Sequence, residues 1–320
     1  MAVAQATVFG GSGFLGRYVV KRLAEAGARV LVAVRRPELA GFLRPMGDVG
    51  QIMPIRVDLA DANAVAAAVE GSDAAVNLVG ILVERGAQRF AAVHAQGAER
   101  VAKAAQAHGV RRLVHVSAIG ADRAAPSAYG RSKAAGEAAV RAAFEGATIV
   151  RPSVVFGPED DFFNRLAALA RMSPVLPLID GGHTRFQPVY VGDVADAIMR
   201  ILDDDRTAGR TFELGGPRIY TFRELIAYVV EQTGRRRLLV PVPSALMRLK
   251  AWFLEFLPKP PLTRDQVAQL AADTVVHTDP EAGVATFADL AITPAAVEDV
   301  VPEYLARYRR GGGARPGREA

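Results

Sequence analysis

The stretch Thr7-Val8-Phe9-Gly10-Gly11-Ser12-Gly13-Phe14-Leu15-Gly16-Arg17 joins a short β-prone run to three spaced glycines and the start of an amphipathic helix. Gly10 and Gly13 permit backbone conformations and close approaches that a Cβ would block, and Gly16 lets the helix pack closely on the strand. The helix N-terminus can then face a pyrophosphate. A glycine turn without a ligand is the alternative. The predicted cofactor contacts in this stretch are Gly10, Ser12, Gly13, Phe14, Leu15 and Gly16.

The surrounding pattern favours the nucleotide cradle. A helix is predicted over 13–26, and a second strand over 29–34 ends about twenty residues after the glycines, as the dinucleotide fingerprint requires. That strand ends in Val34-Arg35-Arg36, where NAD-selective proteins usually place an acidic residue. An arginine there can neutralise a 2′-phosphate, so we predict that NADP(H) is preferred and that NAD(H) is the alternative. Arg35 is the first choice for this contact and Arg36 the second. The alternative interpretation is that both arginines are solvated at the end of the strand and bind no ligand.

Two further strands are predicted to end beside the same ligand. Asp58-Leu59 follows a strand predicted over 52–57, and Val79-Gly80 follows the fourth strand. The carboxyl ends of parallel strands line the ligand crevice of an open sheet. Asp58, Leu59, Val79 and Gly80 are therefore added to the predicted cofactor contacts.

Apolar strands alternate with helical segments as far as Arg151, which predicts an α/β fold with a doubly wound parallel sheet. A crossover helix is expected over 85–108, with strands over 112–117 and 147–151. The sequence predicts a dinucleotide-binding domain over 1–151, rejoined by parts of 185–215. A smaller C-terminal α/β domain of the substrate-binding type is predicted over 152–308, followed by a mobile basic tail over 309–320.

Composition limits the functions that are open to the chain. Half of its 320 residues are hydrophobic, but the apolar stretches are shorter than the roughly twenty residues of a membrane span. Cofactor-binding sequence begins within the first residues, so we expect no signal peptide and a cytoplasmic protein. The absence of cysteine excludes disulfides and thiol chemistry, and five scattered histidines predict no metal site. The net charge of +5 comes without interleaved aromatic and basic residues, so nucleic acid is not a predicted partner.

Tyr129 and Lys133 are the candidate catalytic pair. They are four residues apart on a predicted helix and therefore share a face. A neighbouring ammonium favours a phenolate, which could exchange a proton with a carbonyl or an alcohol. Lys133 could also hold the nicotinamide ribose, and Ser117, after the fifth strand, could bind the substrate oxygen. An ordinary helix pair is the alternative.

These motifs together resemble the extended and atypical short-chain dehydrogenases/reductases over about residues 5–235. The residues that carry the resemblance are the three glycines, Asp58-Leu59, Asn77 to Gly80, Ser117, Tyr129, Lys133, Arg151-Pro152-Ser153, Gly157-Pro158 and Val191 to Ala195. Two departures argue against turnover: Ala118 stands where catalytically competent members often have Ser or Thr, and His94 where they often have Asn.

Within that superfamily the chain is most similar to bacterial relatives of the nucleotide-binding accessory subunit of respiratory complex I, to about residue 275. The similar strings are Val79 to Leu82, Phe156 to Asn164, Arg185 to Val191 and Pro261 to Gln266. The resemblance implies a tightly held NADPH with a mainly structural role. It also implies complex I subunits as partners, with the chain docked beside the quinone-reducing arm at the cytoplasmic face of the inner membrane.

Residues 244–257 form a predicted amphipathic helix with the single tryptophan, Trp252. Arg248, Lys250 and Lys259 are available to anionic head groups, so a peripheral membrane contact is one interpretation. The other is that the helix covers a groove in its own domain.

Three functions remain open at this stage. The first is an accessory NADP(H)-binding subunit of complex I. The second is a free-standing NAD(P)-dependent oxidoreductase or epimerase acting on a sugar nucleotide, a steroid or a quinone-pathway intermediate. The third is a regulator that senses the redox state of the nucleotide.

Overall fold

The computed structural model describes residues 3–257, 260–277, 283–309 and 311. The strands are β1 Gln5–Phe9, β2 Arg29–Val34, β3 Ile52–Arg56, β4 Ala74–Asn77, β5 Arg112–Val116, β6 Thr148–Pro152, β7 Val155–Phe156, β8 Val175–Ile179, β9 Arg185–Phe186, β10 Val189–Tyr190, β11 Thr211–Leu214, β12 Tyr220–Thr221, β13 Leu238–Val242 and β14 Val284–Ala285. The α-helices are α1 Phe14–Glu25, α2 Ala62–Val69, α3 Ala98–Ala107, α4 Ala128–Ala143, α5 Phe162–Met172, α6 Val191–Asp203, α7 Phe222–Gln232, α8 Ser244–Leu254, α9 Arg264–Leu270 and α10 Val297–Leu305.

The main sheet has eight strands in the order β14-β11-β6-β5-β4-β1-β2-β3, and its neighbouring strands run parallel. Its inner strands are short and almost wholly buried because helices cover both faces. Helices α1 and α6 pack on each other, and α2, α3 and α4 form a second layer. The sheet confirms the predicted doubly wound α/β fold. Strand order reverses between β4 and β1, which is where such sheets bind ligands.

The apolar core beneath α2, α3 and α4 explains why these segments fold as they do. Alternate residues of the strands point into this layer, including Phe9 of β1, Leu113 of β5 and Ile149 of β6. The helices contribute small and β-branched side chains such as Val101 and Val140. Small residues allow these helices to lie close to the face of the sheet.

The predicted helix over 85–108 is wrong at its start. Arg85 and Gln88 form a tight antiparallel bridge, and a helix begins only with the π-helical segment Ala91–Gly97, which leads into α3. The carboxylate of Glu84 accepts a 2.7 Å hydrogen bond from the backbone N–H of Phe90 and so defines that start.

The chain divides into two compact units. The first contains Met1–Ser153, Val191–Leu214 and Val276–Thr293. Within 185–215, β10 pairs with β7 outside the main sheet, whereas β11 pairs with β6 inside it. The segment Val276–Thr293, which includes β14, belongs to the first unit although it lies within the range 152–308 predicted for the second domain.

The second unit contains Val154–Tyr190, Gly215–Val275 and the residues from Pro294 onward. Its larger core is rich in aromatic side chains, among them Phe156, Phe163 and Phe186, packed with α5, α7 and α10. Short strand pairs (β7 with β10, β8 with β13, β9 with β12) complete it. Apart from Arg309 and Gly311, the predicted tail 309–320 lies outside the described residues. Among the described helices, none has the length and apolar character that crossing a bilayer requires.

Candidate functional site

The loop between β1 and α1 forms the cradle that the glycines predict. Gly10 has a φ of +79°, in the left-handed region, and its carbonyl accepts a 3.0 Å hydrogen bond from the N–H of Gly13. A Cβ at Gly16 would lie 2.6 Å from Cα of Gly11, so a larger residue would push α1 away from the loop. Gly13 caps α1 without a side-chain hydrogen bond, and the N–H groups of the first turn are those that a helix leaves for a ligand.

A cavity of about 330 Å³ opens beyond this loop at the carboxyl ends of β1, β2, β3 and β4. Eight of the thirteen residues predicted to contact the dinucleotide line the cavity: Gly10, Ser12, Gly13, Arg35, Asp58, Leu59, Val79 and Gly80. The other five, Phe14, Leu15, Gly16, Arg36 and Lys133, do not line it. Eleven lining residues were not among the predicted contacts: Phe9, Ala33, Val34, Val57, Ala60 and Leu78 at the strand ends, and Ile81, Ala87, Gln88, Ala92 and Val93. The last five surround the turn that was predicted as helix, so periodicity gave no signal for them.

Arg35 is exposed and lines the crevice immediately after β2. Its neighbour Arg36 begins the short 3₁₀ segment Pro37–Met46 and does not line the cavity. Across the crevice, the carboxylate of Asp58 accepts a 2.9 Å hydrogen bond from the N–H of Ala60. The crevice is therefore lined by one cation, at the end of β2, and by one carboxylate, at the end of β3.

Tyr129 and Lys133 lie on α4, whose first turn is capped by Ser127 through a 3.0 Å hydrogen bond from the N–H of Gly130. The ammonium of Lys133 is buried and donates to the carbonyl oxygen of Val116 at 2.9 Å. A Cβ placed on Gly80, in the crevice wall, would lie 4.0 Å from Nζ of Lys133. Lys133 therefore lies behind the part of the crevice wall that Gly80 forms.

The expectation that Lys133 favours a Tyr129 phenolate is wrong for this structure. Burial raises the pKa of Tyr129 to about 12, because a charged phenolate would lose its hydration. The ring of Tyr129 packs by its edge against His94 and Phe90, with centroids 5.4 Å and 6.1 Å away. Tyr129 is thus a neutral phenol at physiological pH.

Ser117 follows β5, and its backbone N–H donates to the carbonyl of Val150 at 2.7 Å. Its side chain is 4% exposed, and its hydroxyl oxygen has no hydrogen-bond partner among the described residues. A buried hydroxyl without a partner is costly. A ligand oxygen or an ordered water would satisfy it, which fits the predicted role of this residue.

His94 joins the crevice wall to α4. Its Nε2 accepts a 2.9 Å hydrogen bond from the N–H of Ile81, and its Nδ1 lies 2.8 Å from the hydroxyl of Ser132. That hydroxyl donates to the carbonyl of Tyr129 at 2.7 Å, so Nδ1 must carry the imidazole proton. Burial, together with the charge of Lys133, lowers the pKa of His94 to about 3. His94 is therefore a neutral imidazole that links the crevice wall at Ile81 to α4 at Ser132. Its position in a π-helical turn gave no sequence signal for this role.

Residues 6–215 match the model of the NAD dependent epimerase/dehydratase family. The match begins at β1, includes the crevice and α4, and ends just after β11. The chain belongs to the NAD dependent epimerase/dehydratase family. In this family the cofactor is a nicotinamide dinucleotide, and the glycine cradle and the crevice fit the pyrophosphate of such a molecule.

Similar proteins extend beyond the family region. A protein of Arabidopsis thaliana named NADH dehydrogenase (ubiquinone) 1 alpha subcomplex subunit 9, mitochondrial, is 37% identical over 96% of this chain and 78% of its own length. The NADH-ubiquinone oxidoreductase 40 kDa subunit of Neurospora crassa is also 37% identical, over 95% of this chain and 79% of its own length. A ceramide reductase of Caulobacter vibrioides is 32% identical over 74% of this chain and 73% of its own length.

Among solved structures, the family fold recurs in DesIV, a dTDP-glucose 4,6-dehydratase from Streptomyces venezuelae solved with NAD bound. The TM-score is 0.70, and the match covers 95% of this chain and 96% of that one. The sequence identity is 22%, so the likeness shows a common fold.

Proposed function

We propose that this family member binds NADP(H) and serves as an accessory, mainly structural subunit of respiratory complex I. The observation that carries the proposal is its 37% identity, over almost its whole length, to the mitochondrial protein of Arabidopsis thaliana named as a subunit of NADH dehydrogenase. The similarity includes the region after residue 215, beyond the family model. Both halves of the chain therefore support the assignment.

The crevice supports NADP(H) rather than NAD(H). The cradle at Gly10 and the first turn of α1 would hold the pyrophosphate, and Lys133 would hold the nicotinamide ribose. Arg35 would pair with the 2′-phosphate, because no carboxylate stands at the end of β2 to bind the ribose hydroxyls of NAD. Arg36 is the alternative contact, although it does not line the cavity.

The state of Tyr129 supports a structural role for the cofactor. A phenol whose pKa is raised to about 12 is a poor base at neutral pH. Lys133, which would have to favour its phenolate, donates a hydrogen bond to a backbone carbonyl. Tyr129 is therefore not set up as a base, which supports a mainly structural role for the nucleotide.

The helix α8 supports a peripheral membrane contact. Met247 and Ala251 pack into the protein with Ile179 and Val267, whereas Leu249 and Phe253 on the opposite side are 54% and 61% exposed. Helical geometry places the exposed residues Arg248 and Lys250 on the two flanks of this apolar face. The nearby carboxylate of Glu255 is paired with Arg264 at 2.9 Å. An apolar face with flanking cations is typical of helices that lie on anionic bilayers.

The proposed place of the protein is the cytoplasmic face of the inner membrane, beside the quinone-reducing arm of complex I. The resemblance of the strings 156–164 and 185–191 to the accessory subunit supports this place, and α8 provides a membrane-facing surface. In this position the chain would lie on the bilayer, with its bound nucleotide beside the base of the quinone-reducing arm.

The test is to extract membranes in mild detergent, to separate them on a native gel and to locate this chain relative to NADH dehydrogenase activity. Comigration, with loss of the full-size complex when the gene is deleted, is the expected result. A chain that migrates alone, with complex I intact in the deletion strain, would contradict the proposal.

A second candidate function is a free-standing reductase or epimerase. The observation in its favour is the buried hydroxyl of Ser117, which has no hydrogen-bond partner among the described residues and follows Val116, whose carbonyl accepts from Lys133; it offers a place for a substrate oxygen. The ceramide reductase among the relatives adds support. Purified protein that oxidises NADPH in the presence of a carbonyl substrate would favour this function over the first.

A further inference from the structure

Two buried carboxylates, Glu137 and Glu213, share one half-buried guanidinium, that of Arg151. The carboxylate of Glu137, on α4, accepts two hydrogen bonds from the guanidinium of Arg151, with Nε–Oε1 and Nη2–Oε2 distances of 2.8 Å and 2.7 Å. Arg151 also donates from Nη1 to Glu213 at 3.3 Å, and these two residues are register partners on β6 and β11. Glu137 is 6% exposed and Glu213 is fully buried.

The network ends at the protein surface. The second carboxylate oxygen of Glu213 lies 2.7 Å from Nδ1 of His277, and it accepts the backbone N–H of the same residue at 2.9 Å. The side chain of His277 is 61% exposed. Two carboxylates and one guanidinium give the whole network a net negative charge whenever the imidazole of His277 is neutral.

Lys133 lies one helical turn before Glu137, so both side chains project from the same face of α4. The other titratable groups that face its ammonium are Tyr129 on α4, His94 on the π-helical segment and His115 on β5. Burial keeps both imidazoles and the phenol uncharged. Burial also lowers the pKa of Lys133 to about 8, and Glu137 opposes that shift. Glu137 is therefore the neighbouring charge that favours the ammonium.

We propose that Glu137, held in place by Arg151 and Glu213, is a positioning residue that keeps Lys133 charged behind the nucleotide crevice. A buried ion pair contributes little to stability on its own, because desolvation offsets its Coulomb energy. Its contribution here is to the charge of the neighbouring lysine. The consequence for NADP(H) rests on the proposed function, since an ammonium donates more strongly to a ribose hydroxyl than a neutral amine does.

The experiment follows Lys133 directly, in the full chain and without nucleotide. The sequence has five lysines, at 21, 103, 133, 250 and 259, so ¹³Cε-lysine labelling gives few NMR signals to assign. In Glu137→Gln the titration midpoint of Lys133 should fall by about 1 pH unit, the size that one neighbouring charge gives. An unchanged or higher midpoint overturns the proposal.

The matched control is Glu99→Gln, which removes a carboxylate one turn from a lysine on the solvent-facing side of α3, where Glu99 pairs with Lys103 at 2.6 Å. It should leave the Lys133 midpoint where it is. If Glu137→Gln does not fold, Glu213→Gln removes the same charge at the far end of the network. It should lower the midpoint by a smaller amount, and no change in this variant overturns the proposal.

NADPH titration calorimetry of the same variants separates the two proposals. A wild-type chain that binds no NADPH contradicts the proposed function, whatever the lysine signals do. A chain that binds NADPH but shows the wild-type Lys133 midpoint in Glu137→Gln contradicts this inference alone. A purely structural Glu137 would weaken NADPH binding equally at every pH, whereas the proposed residue weakens it most above pH 7.

Discussion

The backbone N–H of Ile81 donates a 2.9 Å hydrogen bond to Nε2 of His94, which fixes the wall of the crevice to the segment that packs against α4. The imidazole can accept this bond only while Nε2 is unprotonated. The other ring nitrogen donates to Ser132, so the neutral tautomer is defined on both sides. Protonation of His94 would break the connection between the crevice and the helix that carries Lys133.

Acid stability should therefore depend on His94. The imidazole of the unfolded chain takes up a proton near pH 6.5, whereas the folded one does so only near its lowered pKa of about 3. The stabilisation is present above pH 6.5 and is lost as the pH falls towards 3. In His94→Gln the slope of unfolding free energy against pH should decrease by about 1.4 kcal/mol per pH unit between these values.

Urea unfolding at a series of pH values from 4 to 7 measures that slope. His108→Gln, at the exposed end of α3, is the control and should retain the wild-type slope. A wild-type slope in His94→Gln would mean that His94 is protonated in the folded chain.

Arg35→Ser should weaken NADPH binding selectively. A hydrogen bond to a charged group contributes about 1.5–3 kcal/mol, so NADPH should lose roughly 10- to 100-fold in affinity while NADH binding stays unchanged. Calorimetry with both nucleotides measures the two affinities, and the same measurement on Arg36→Ser shows which of the two arginines makes the contact. An equal loss for NADPH and NADH would place Arg35 away from the 2′-phosphate.

Tyr129→Phe separates the two candidate functions. In an accessory subunit the variant should assemble into complex I with an unchanged NADPH content, because a structural role of the nucleotide requires no proton transfer by Tyr129. In a free-standing enzyme that uses Tyr129 as its acid–base group, kcat should fall by about 10²–10⁴-fold. Nucleotide content of the purified complex and steady-state rates on any substrate found give the two readouts.

Removal of the flanking cations should detach α8 from anionic bilayers. Each cation near an anionic surface contributes about 1 kcal/mol, so Arg248→Gln with Lys250→Gln should weaken binding by roughly 30-fold. The measurement is flotation with phosphatidylglycerol vesicles, with phosphatidylcholine vesicles as the reference. Because both side chains are exposed, the unfolding temperature should not change.

An apolar substitution distinguishes specific binding of the α8 face to the bilayer from nonspecific hydrophobic adsorption. Phe253→Ser removes a 61% exposed ring from the α8 face, whereas Val49→Ser removes a fully exposed side chain in the first unit. Only the first variant should float less. Equal flotation of Phe253→Ser and the unaltered chain would indicate that this face serves a protein contact.

The sequence alone determined the features that depend on local chemistry. The glycines between β1 and α1 predict a cradle because a positive φ and a close backbone approach are properties of single residues. Alternation of apolar runs with helical periodicity predicts the doubly wound sheet, and the strand 29–34 has its predicted bounds. Residues at strand ends, such as Asp58 and Val79, are predicted for the crevice because parallel strands end at a common edge.

Tertiary structure decided what depends on burial and on contacts between distant segments. The four-residue spacing of Tyr129 and Lys133 was visible in the sequence, but the desolvation that raises the pKa of Tyr129 was not. The π-helical segment at His94 is held by contacts with Ile81 and with α4, and the turn at Arg85–Gln88 precedes it; local periodicity encodes neither feature. The network of Glu137, Arg151 and Glu213 comes from α4, β6 and β11. Only folding brings these charges together, because their interaction depends on distance in space and on exclusion of water.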